Sequence, residues 1–186
     1  LLSEPLGLRW NTWLCWVYLA LSALVVFWPH GERSTDSAAH IWSINPAHLL
    51  LISITVIAVV VRLYVAHDLP VGLWGDSYHH TIIAQLLVDN GGLFSSWQPY
   101  APLATFTYHF GFHSQVAWLS WLSGLPVTRS LLVIGQLQSA LAAPLVFLLA
   151  RRLFQHTPAA LWATLLVGVL LPLPAYSVSY THLRAH

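Results

Sequence analysis

Long apolar runs with almost no charge constrain this chain more than any other feature of its sequence. In the clearest run, residues 47–66, the stretches 49–52 and 59–61 are apolar on every face. A helix of about 20 such residues crosses the hydrocarbon core of a bilayer. Only 7% of the 186 residues are charged, against about 25% in soluble domains, so a soluble fold would lack polar residues to cover its surface. The sequence therefore predicts an integral membrane protein.

The apolar runs recur along the chain and predict an all-α fold, a polytopic membrane helix bundle with about five transmembrane helices. The predicted spans are residues 11–28, 47–66, 105–123, 131–150 and 158–171. Met is absent, even at position 1. We therefore interpret residues 1–178 as a single membrane domain and a fragment of a longer protein. We interpret residues 179–186 as a non-native tail, the alternative being a genuine polar tail.

A polar segment, residues 68–107, interrupts the apolar runs and contains no Lys or Arg. Ionisable groups that are kept beside a bilayer usually serve chemistry or transport, so this segment is where function should be sought. We expect a helix from about Asp76 to Asp89, ended by Gly91 and Gly92. Its apolar and polar sides are typical of a helix that lies along the membrane surface.

The orientation of this segment follows from the distribution of Arg. Cytoplasmic loops are rich in basic residues, so a loop without them is predicted to be extracytoplasmic. If the five spans alternate in direction, Arg151 and Arg152 share a side with residues 68–107, and Arg129 lies opposite. The double Arg then favours the reverse orientation. We give more weight to the loop, because a surface segment of this length without one basic residue is the larger anomaly.

Asp76 and four His residues are the candidates for chemistry. As an N-cap, the Asp76 carboxylate accepts hydrogen bonds from the first backbone N–H groups of the helix; as a functional group, it is a general base or a metal ligand. His79 and His80 follow on or near its face of the helix. They bind metal, phosphate or a proton, or they form a polar face at the head groups. His109 and His113, four residues apart on a separate predicted helix, form half of a metal site or structural packing contacts.

All seven basic residues are Arg, and six acidic residues leave a net charge of +1, which argues against nucleic acid as a partner. Four of the seven Arg residues are candidates for bidentate contacts to the phosphate of a lipid-linked sugar donor: Arg62, Arg129, Arg151 and Arg152. Alternatively, each one snorkels toward the head groups of the membrane lipids or anchors the topology.

The order of these features resembles the GT-C superfamily of membrane glycosyltransferases, in its mannosyltransferase and aminoarabinose-transferase branch. The resemblance covers residues 47 to about 174. The matching pieces are Gly75-Asp76-Ser77, the amphipathic helix at 78–89, the Pro-rich stretch 99–103, and the helix start and end at 129–131 and 150–154.

This resemblance implies an inverting transfer of a sugar from a polyprenyl-phosphate donor to an acceptor, on the extracytoplasmic side of the cell membrane. Asp76 would be the base. The resemblance leaves open whether a divalent cation, Mg²⁺ or Mn²⁺, is required as a cofactor. Many members have an acidic residue directly after this Asp, whereas Ser77 and Tyr78 follow it here. His residues would then have to serve as the metal ligands.

Two other functions fit the same residues. Eleven His in the chain are compatible with a membrane protein that binds haem or metal. Alternatively, Asp76, His79 and His80 form the proton relay of a transporter. The transferase is preferred because the ionisable groups are concentrated in one loop, not distributed along the spans.

Overall fold

A computed structural model describes residues 9–27, 45–73, 75–104 and 109–170. Within these residues the chain forms helices and no strand, so the all-α prediction is confirmed. Residues 28, 105–108 and 171 of the predicted spans and the tail at 179–186 lie outside the described residues. The helices are α1 (Thr12–Phe27), α2 (Pro46–Val65), α3 (Gly75–Asn90), α4 (Gly111–Ser123), α5 (Val127–Phe154) and α6 (Thr157–Leu165), which continues into a π-helical turn (Leu166–Leu170).

Two of the described helices are long and apolar enough to cross a bilayer, α2 with 20 residues and α5 with 28. The bounds of α2 agree with the predicted span 47–66 within one residue. It begins where the Asn45 side chain accepts a hydrogen bond from the backbone N–H of Ala47, with Pro46 in its first turn, a common arrangement at helix starts. At the other predicted spans, α1 has 16 residues, α4 has 13 and α6 has 9 before its π-helical turn of 5.

Small residues bring α2, α5 and α6 together. Ala58 and Ala143 are fully buried and both lie beside Gly168, where an added Cβ atom would come within 2.9 Å of the Ala143 Cβ. Small residues at such positions let helices in membranes approach closely. Earlier in α2, Leu51 packs in the cluster that contains Phe147 of α5. Because the contacts move backward along α5 as they move forward along α2, the two helices are antiparallel.

α5 extends past the end of α2. Ala58 of α2 and Ala143 of α5 lie side by side, and both helices rise about 1.5 Å per residue. Val65, the last residue of α2, is therefore level with about residue 136 of α5. The first two turns of α5 lie beyond this level. There, Val127 and Leu131 contact α3 and α4 in place of α2.

The helix pair α3 and α4 therefore forms a layer around the N-terminal turns of α5, which we call the α3–α4 layer. Its buried cluster joins Ala84 of α3 and Val116 of α4 to the α5 residues just named. The predicted apolar side of α3 is confirmed, because it is buried: Ile82, Ile83, Leu86 and Leu87. The helix ends with left-handed Gly91, whose N–H binds the carbonyl of Val88 while that of Gly92 binds Leu87, which is a Schellman motif.

α1 packs against this layer. The Trp118 ring of α4 packs on the Trp10 and Tyr18 rings, with centroids 5.1 and 5.2 Å away, and those two rings also contact each other at 6.2 Å. The backbone N–H of Trp10 donates to the Gly91 carbonyl at 2.6 Å. A Cβ on Gly91 would lie 2.9 Å from the Arg9 Cβ, so the absence of a side chain permits this approach.

The arginines at the two ends of α5 are distributed differently from the sequence prediction. Arg129 Nη1 donates to the backbone oxygens of Ala66 and His67 at 3.0 and 2.8 Å. Arg129 therefore lies at the same end of the bundle as the start of the polar segment. Arg151 and Arg152 lie in the last turn of α5, at the opposite end. The alternation that put the double Arg beside the polar segment is wrong, because α4 runs only along the N-terminal turns of α5.

The outer faces of α2 and of the second half of α5 are apolar and exposed. Ile52 and Val60 of α2 are each 59% exposed, and Leu145 and Leu149 of α5 are 66% and 60% exposed. Only 17% of the apolar window of α2 and 28% of that of α5 are buried inside the protein, whereas a core helix of a soluble protein is mostly buried. Apolar surface of this extent suits contact with lipid or with another protein.

Candidate functional site

Asp76 is the second residue of α3 and is partly buried. Because α3 begins at Gly75, the interpretation of Asp76 as the N-cap is wrong. A carboxylate in the first turn is nevertheless stabilised by the positive end of the helix dipole. Among the described residues the one ion pair joins His67 and Asp68, so no basic side chain lies within 4.0 Å of the Asp76 carboxylate in that part of the chain.

A hydrogen bond between two buried imidazoles connects α3 to α4. His80 Nδ1 lies 2.8 Å from His113 Nε2, and the ring centroids are 5.0 Å apart. His80 is 9% exposed and His113 is 1% exposed. Phe112 meets both rings edge to face. His80, which the sequence pattern assigned to the polar side of α3, is therefore part of its buried side.

The partners of the His113 ring determine where its proton lies. His113 Nδ1 is 3.0 Å from the backbone carbonyl of His109. A carbonyl oxygen only accepts hydrogen bonds, so Nδ1 carries the proton. In the neutral ring, Nε2 is then the acceptor. The proton of the bond to His80 consequently belongs to His80 Nδ1.

Burial keeps His113 neutral. His113 lies on α4, which is not one of the two described helices long enough to cross a bilayer. The pKa of His113 is lowered to about 4, chiefly by desolvation; the hydrogen bond to the His109 carbonyl opposes this decrease, and the nearby His80 contributes to it. The neutral ring therefore dominates at physiological pH, which supports the assignment of the protons.

The two His pairs that the sequence suggested are not assembled. His109 precedes the first residue of α4, and its backbone oxygen, not its ring, contacts His113. His79 is exposed and its ring meets that of Tyr78. The described residues contain no group of three or more His, Cys, Asp or Glu side chains that could hold a metal ion.

The site lies close to the level at which α2 ends. Gln138 of α5 donates to the side-chain oxygen of Gln115 at 2.9 Å, which places the start of the second turn of α4 beside residue 138. α2 ends opposite about residue 136 of α5. His113 and His80 are therefore near this level, and Asp76 is one helical turn from His80.

Arg62 is buried at the same end of the bundle. It is 7% exposed, and its Nε donates to the Gly168 carbonyl in the π-helical turn at 3.3 Å. The expectation that Arg62 snorkels outward is wrong, because the side chain is directed between helices. A π-helical turn has an altered hydrogen-bond pattern, and this Arg binds one of its carbonyls.

The other arginines have different surroundings. Arg129 uses Nη1 to bind the last carbonyls beyond α2, where a cation also complements the negative end of the helix dipole. Arg151 and Arg152 are exposed in the last turn of α5, far from Asp76 along the bundle. The structure therefore brings Arg62 and Arg129 toward the end that carries Asp76 and separates the double Arg from it.

Asp89, at the end of α3, has a role that the sequence pattern did not indicate. Its carboxylate accepts a hydrogen bond from Gln85 Nε2 at 2.7 Å. Desolvation raises the pKa of the Tyr100 phenol, and the charge and hydrogen bonding of Asp89 raise it further. Asp89 thus attaches the connector after α3 to this helix. The spacing of Gln85 and Asp89 by four residues was an available signal.

Comparison with known protein families, curated proteins and solved structures finds no match for this chain. The argument for function therefore depends on the geometry of its own residues.

Proposed function

We propose that this chain is an integral membrane protein that transfers a sugar from a polyprenyl-phosphate donor to an acceptor hydroxyl. Two helices that could span a bilayer and their exposed apolar faces support the membrane location. The observation that carries the transferase is the position of Asp76. It is an acidic, partly buried side chain in the first turn of α3, near the level where α2 ends.

The proposed orientation places the α3–α4 layer on the extracytoplasmic side, in a multi-pass arrangement. The distribution of Arg supports it, since Arg151 and Arg152 lie at the end of the bundle opposite the polar segment. Basic residues favour the cytoplasmic side.

In the proposed reaction Asp76, as a carboxylate, accepts the proton of the acceptor hydroxyl. The hydroxyl oxygen forms a bond to the anomeric carbon while the bond from that carbon to the phosphate oxygen breaks, and the lipid phosphate leaves with the electron pair. The configuration at the anomeric carbon is inverted because the two oxygens are on opposite faces. Negative charge grows on the departing phosphate, which requires hydrogen-bond donors.

Arg62 is our candidate for this donor. Its guanidinium is directed into the bundle and uses Nε to bind Gly168. Planar guanidinium groups suit phosphate oxygens because they donate two parallel hydrogen bonds. Arg129 lies at the same end but has a separate structural contact to α2. We assign no step of the reaction to a divalent cation.

The replacement Asp76→Asn tests the proposal. Membranes that contain the protein are incubated with radiolabelled polyprenyl-phosphate-linked mannose or aminoarabinose, and the label transferred to an acceptor is counted. A positioned base contributes about 10²–10⁴-fold to the rate, so Asp76→Asn should lower transfer by that factor. Asp68→Asn is the matched control, because Asp68 is exposed and pairs only with His67 among the described residues. Transfer by Asp76→Asn at the wild-type rate, with equal amounts in the membrane, would contradict the proposal.

The hydrogen bond between His80 and His113 favours a second candidate, a proton-coupled transporter. Paired imidazoles one helical turn from a carboxylate are suitable for moving a proton. This candidate predicts substrate flux driven by a pH gradient in sealed vesicles, without consumption of a lipid-linked sugar. Flux without transfer would select the transporter, and transfer without a pH gradient would select the enzyme.

A further inference from the structure

We propose that Arg151 and Arg152 form a binding surface for anionic phospholipids, at the end of the bundle opposite the α3–α4 layer. The inference rests on the membrane location in the proposed function and not on the transfer of a sugar. Both residues lie in the last turn of α5, so they border the leaflet that does not face Asp76. The double Arg thus has a partner other than the sugar donor.

Neither guanidinium group of the double Arg is used inside the described part of the protein. Both side chains are exposed, and neither forms a hydrogen bond or an ion pair with another described residue. Arg62 and Arg129, by contrast, donate to backbone carbonyls. An Arg side chain is always charged and has five N–H donors. The donors of two adjacent cations are therefore available to an anion outside the protein.

The described part of the chain has no acidic residue at this end. Its three carboxylates, those of Asp68, Asp76 and Asp89, follow α2 or belong to α3, and they lie at the other end of the bundle. The described residues therefore do not compensate the positive charge of the double Arg. An external group with a net negative charge is its electrostatic complement.

Among the described residues, the other titratable groups at this end are two exposed His side chains. His48 lies in the first turn of α2, which runs antiparallel to α5. His156 precedes α6, and its Nδ1 accepts from the backbone N–H of Ala159 at 3.2 Å. In the neutral ring the proton is then on Nε2. His156 consequently has a donor available at Nε2 and does not compete with a phosphate for the donors of the double Arg.

The apolar residues beside the double Arg indicate its depth in a bilayer. Leu149, Leu153 and Phe154 are 60%, 67% and 64% exposed. From residue 136 to residue 152, α5 rises roughly 24 Å at about 1.5 Å per residue. The hydrocarbon core is about 30 Å thick, and an Arg side chain extends several ångströms toward the head groups. If the level of residue 136 is one boundary of the bilayer, the guanidinium groups reach the phosphates of the opposite leaflet.

The charge of this surface selects the class of lipid. A zwitterionic head group has its own cation beside the phosphate, whereas an anionic head group has none. Guanidinium groups also hold phosphate oxygens through two parallel hydrogen bonds. Each basic residue near an anionic leaflet contributes about 1 kcal/mol, which is roughly fivefold in affinity. The two Arg together predict a preference of about 25-fold for an anionic over a zwitterionic phospholipid.

Native mass spectrometry of the full chain tests the proposal. The protein in detergent micelles is titrated with phosphatidylglycerol or with phosphatidylcholine, and the fraction that carries a lipid gives each dissociation constant. Wild type should bind phosphatidylglycerol about 25-fold more tightly. Arg152→Gln should lose about fivefold of this preference, and the double variant Arg151→Gln/Arg152→Gln nearly all of it. Arg9→Gln is the matched control, because Arg9 is also exposed but lies beside Gly91 of the α3–α4 layer.

Two further measurements separate the alternatives. The midpoint of unfolding in phosphatidylcholine alone should be the same in the double variant as in wild type, because both side chains are exposed. Excess inorganic phosphate should displace no more phosphatidylglycerol than sodium chloride of equal ionic strength; a larger displacement would assign the surface to a soluble anion and overturn the proposal.

Equal affinity of wild type for the two lipids would also overturn it, as would a preference that persists in the double variant or is lost in Arg9→Gln. Absence of sugar transfer would leave the lipid preference unchanged, so this proposal and the proposed function fail separately.

Discussion

The two halves of α5 have partners of different chemistry. The second half packs on α2 and α6 through Ala143, Phe147 and Ala150, with exposed leucines on its outer face. The first half packs on α3 and α4, where hydrogen bonds between side chains join the helices, as at His80 and His113 or Gln115 and Gln138. One continuous helix thus combines packing by shape with packing by hydrogen bonds.

This difference has a physical explanation if the level near residue 136 is a bilayer boundary. In lipid, exposed apolar surface costs nothing, and helices associate through close contact of small residues. At the boundary, polar side chains are available to water, and a hydrogen bond can specify which helices pair. Asp76 and the His pair lie near this level, where both environments meet.

The largest stability effect should come from filling the contact among α2, α5 and α6. Gly168→Leu places a side chain where even a Cβ lies 2.9 Å from the Ala143 Cβ, so the helices must move apart. Overpacking of this kind costs about 3 kcal/mol, to be measured as the free energy of unfolding in detergent micelles titrated with a denaturing detergent.

Gly135→Ala provides the control for this replacement. Gly135 is in the interior of α5, and an added Cβ there has nothing within 4 Å. Ala favours a helix interior over Gly by about 1 kcal/mol, so this variant should be slightly more stable than wild type. If Gly168→Leu were as stable as Gly135→Ala, the close packing of this half would be refuted.

The sequence predicted the apolar part of the bundle, α2, better than the contacts within the α3–α4 layer. The run 47–66 has apolar residues on every face, and composition alone therefore gives the bounds of α2. The contact between His80 and His113 joins residues that are 33 positions apart, on different helices, so no local periodicity indicates it. His109 and His113 have helical spacing, but the helix begins only at Gly111.

The arginines illustrate the same limit. Snorkelling of Arg62 was a reasonable expectation for a cation near a helix end, but its Nε instead donates a hydrogen bond to the Gly168 carbonyl inside the bundle. The side of the bundle on which Arg129 lies depended on whether residues 105–123 cross the bilayer. The contact of Arg129 with the Ala66 and His67 carbonyls, which a single sequence does not reveal, places it at the end of the bundle where the polar segment begins.

The next largest effect should come from His113→Leu, which tests whether the polar half depends on its hydrogen bond. The change leaves His80 Nδ1–H without its acceptor in a buried position, which costs about 1–3 kcal/mol. His113→Gln can retain an acceptor and should lose less. Equal loss of stability in both variants would mean that ring packing, not the hydrogen bond, holds α3 to α4.

The same site predicts a dependence on pH. The pKa of His113 is about 4 in the folded protein, against an ordinary value of 6.5. Between these values the unfolded chain binds more protons than the folded one, so the free energy of unfolding should fall as the pH decreases from 6.5 to 4. Unfolding measured at several pH values should show a smaller decrease in His113→Gln. An identical pH dependence in that variant would assign the effect to another group.

The smallest effect should come from the contact between the two halves, at Arg129. Arg129→Ala removes two hydrogen bonds to the backbone beyond α2 and should cost about 1 kcal/mol in the free energy of unfolding. Arg152→Ala, at an exposed position at the other end of α5, should change the free energy of unfolding by less than about 0.5 kcal/mol.

Arg129→Lys separates the two roles considered for this residue, a structural contact and a phosphate ligand. Both bonds come from the single nitrogen Nη1, and an ammonium group can make them as well, so Lys should restore stability. A phosphate held by two nitrogens of the guanidinium would not be rebound by Lys, so a variant with restored stability but lost transfer would place Arg129 in the donor site.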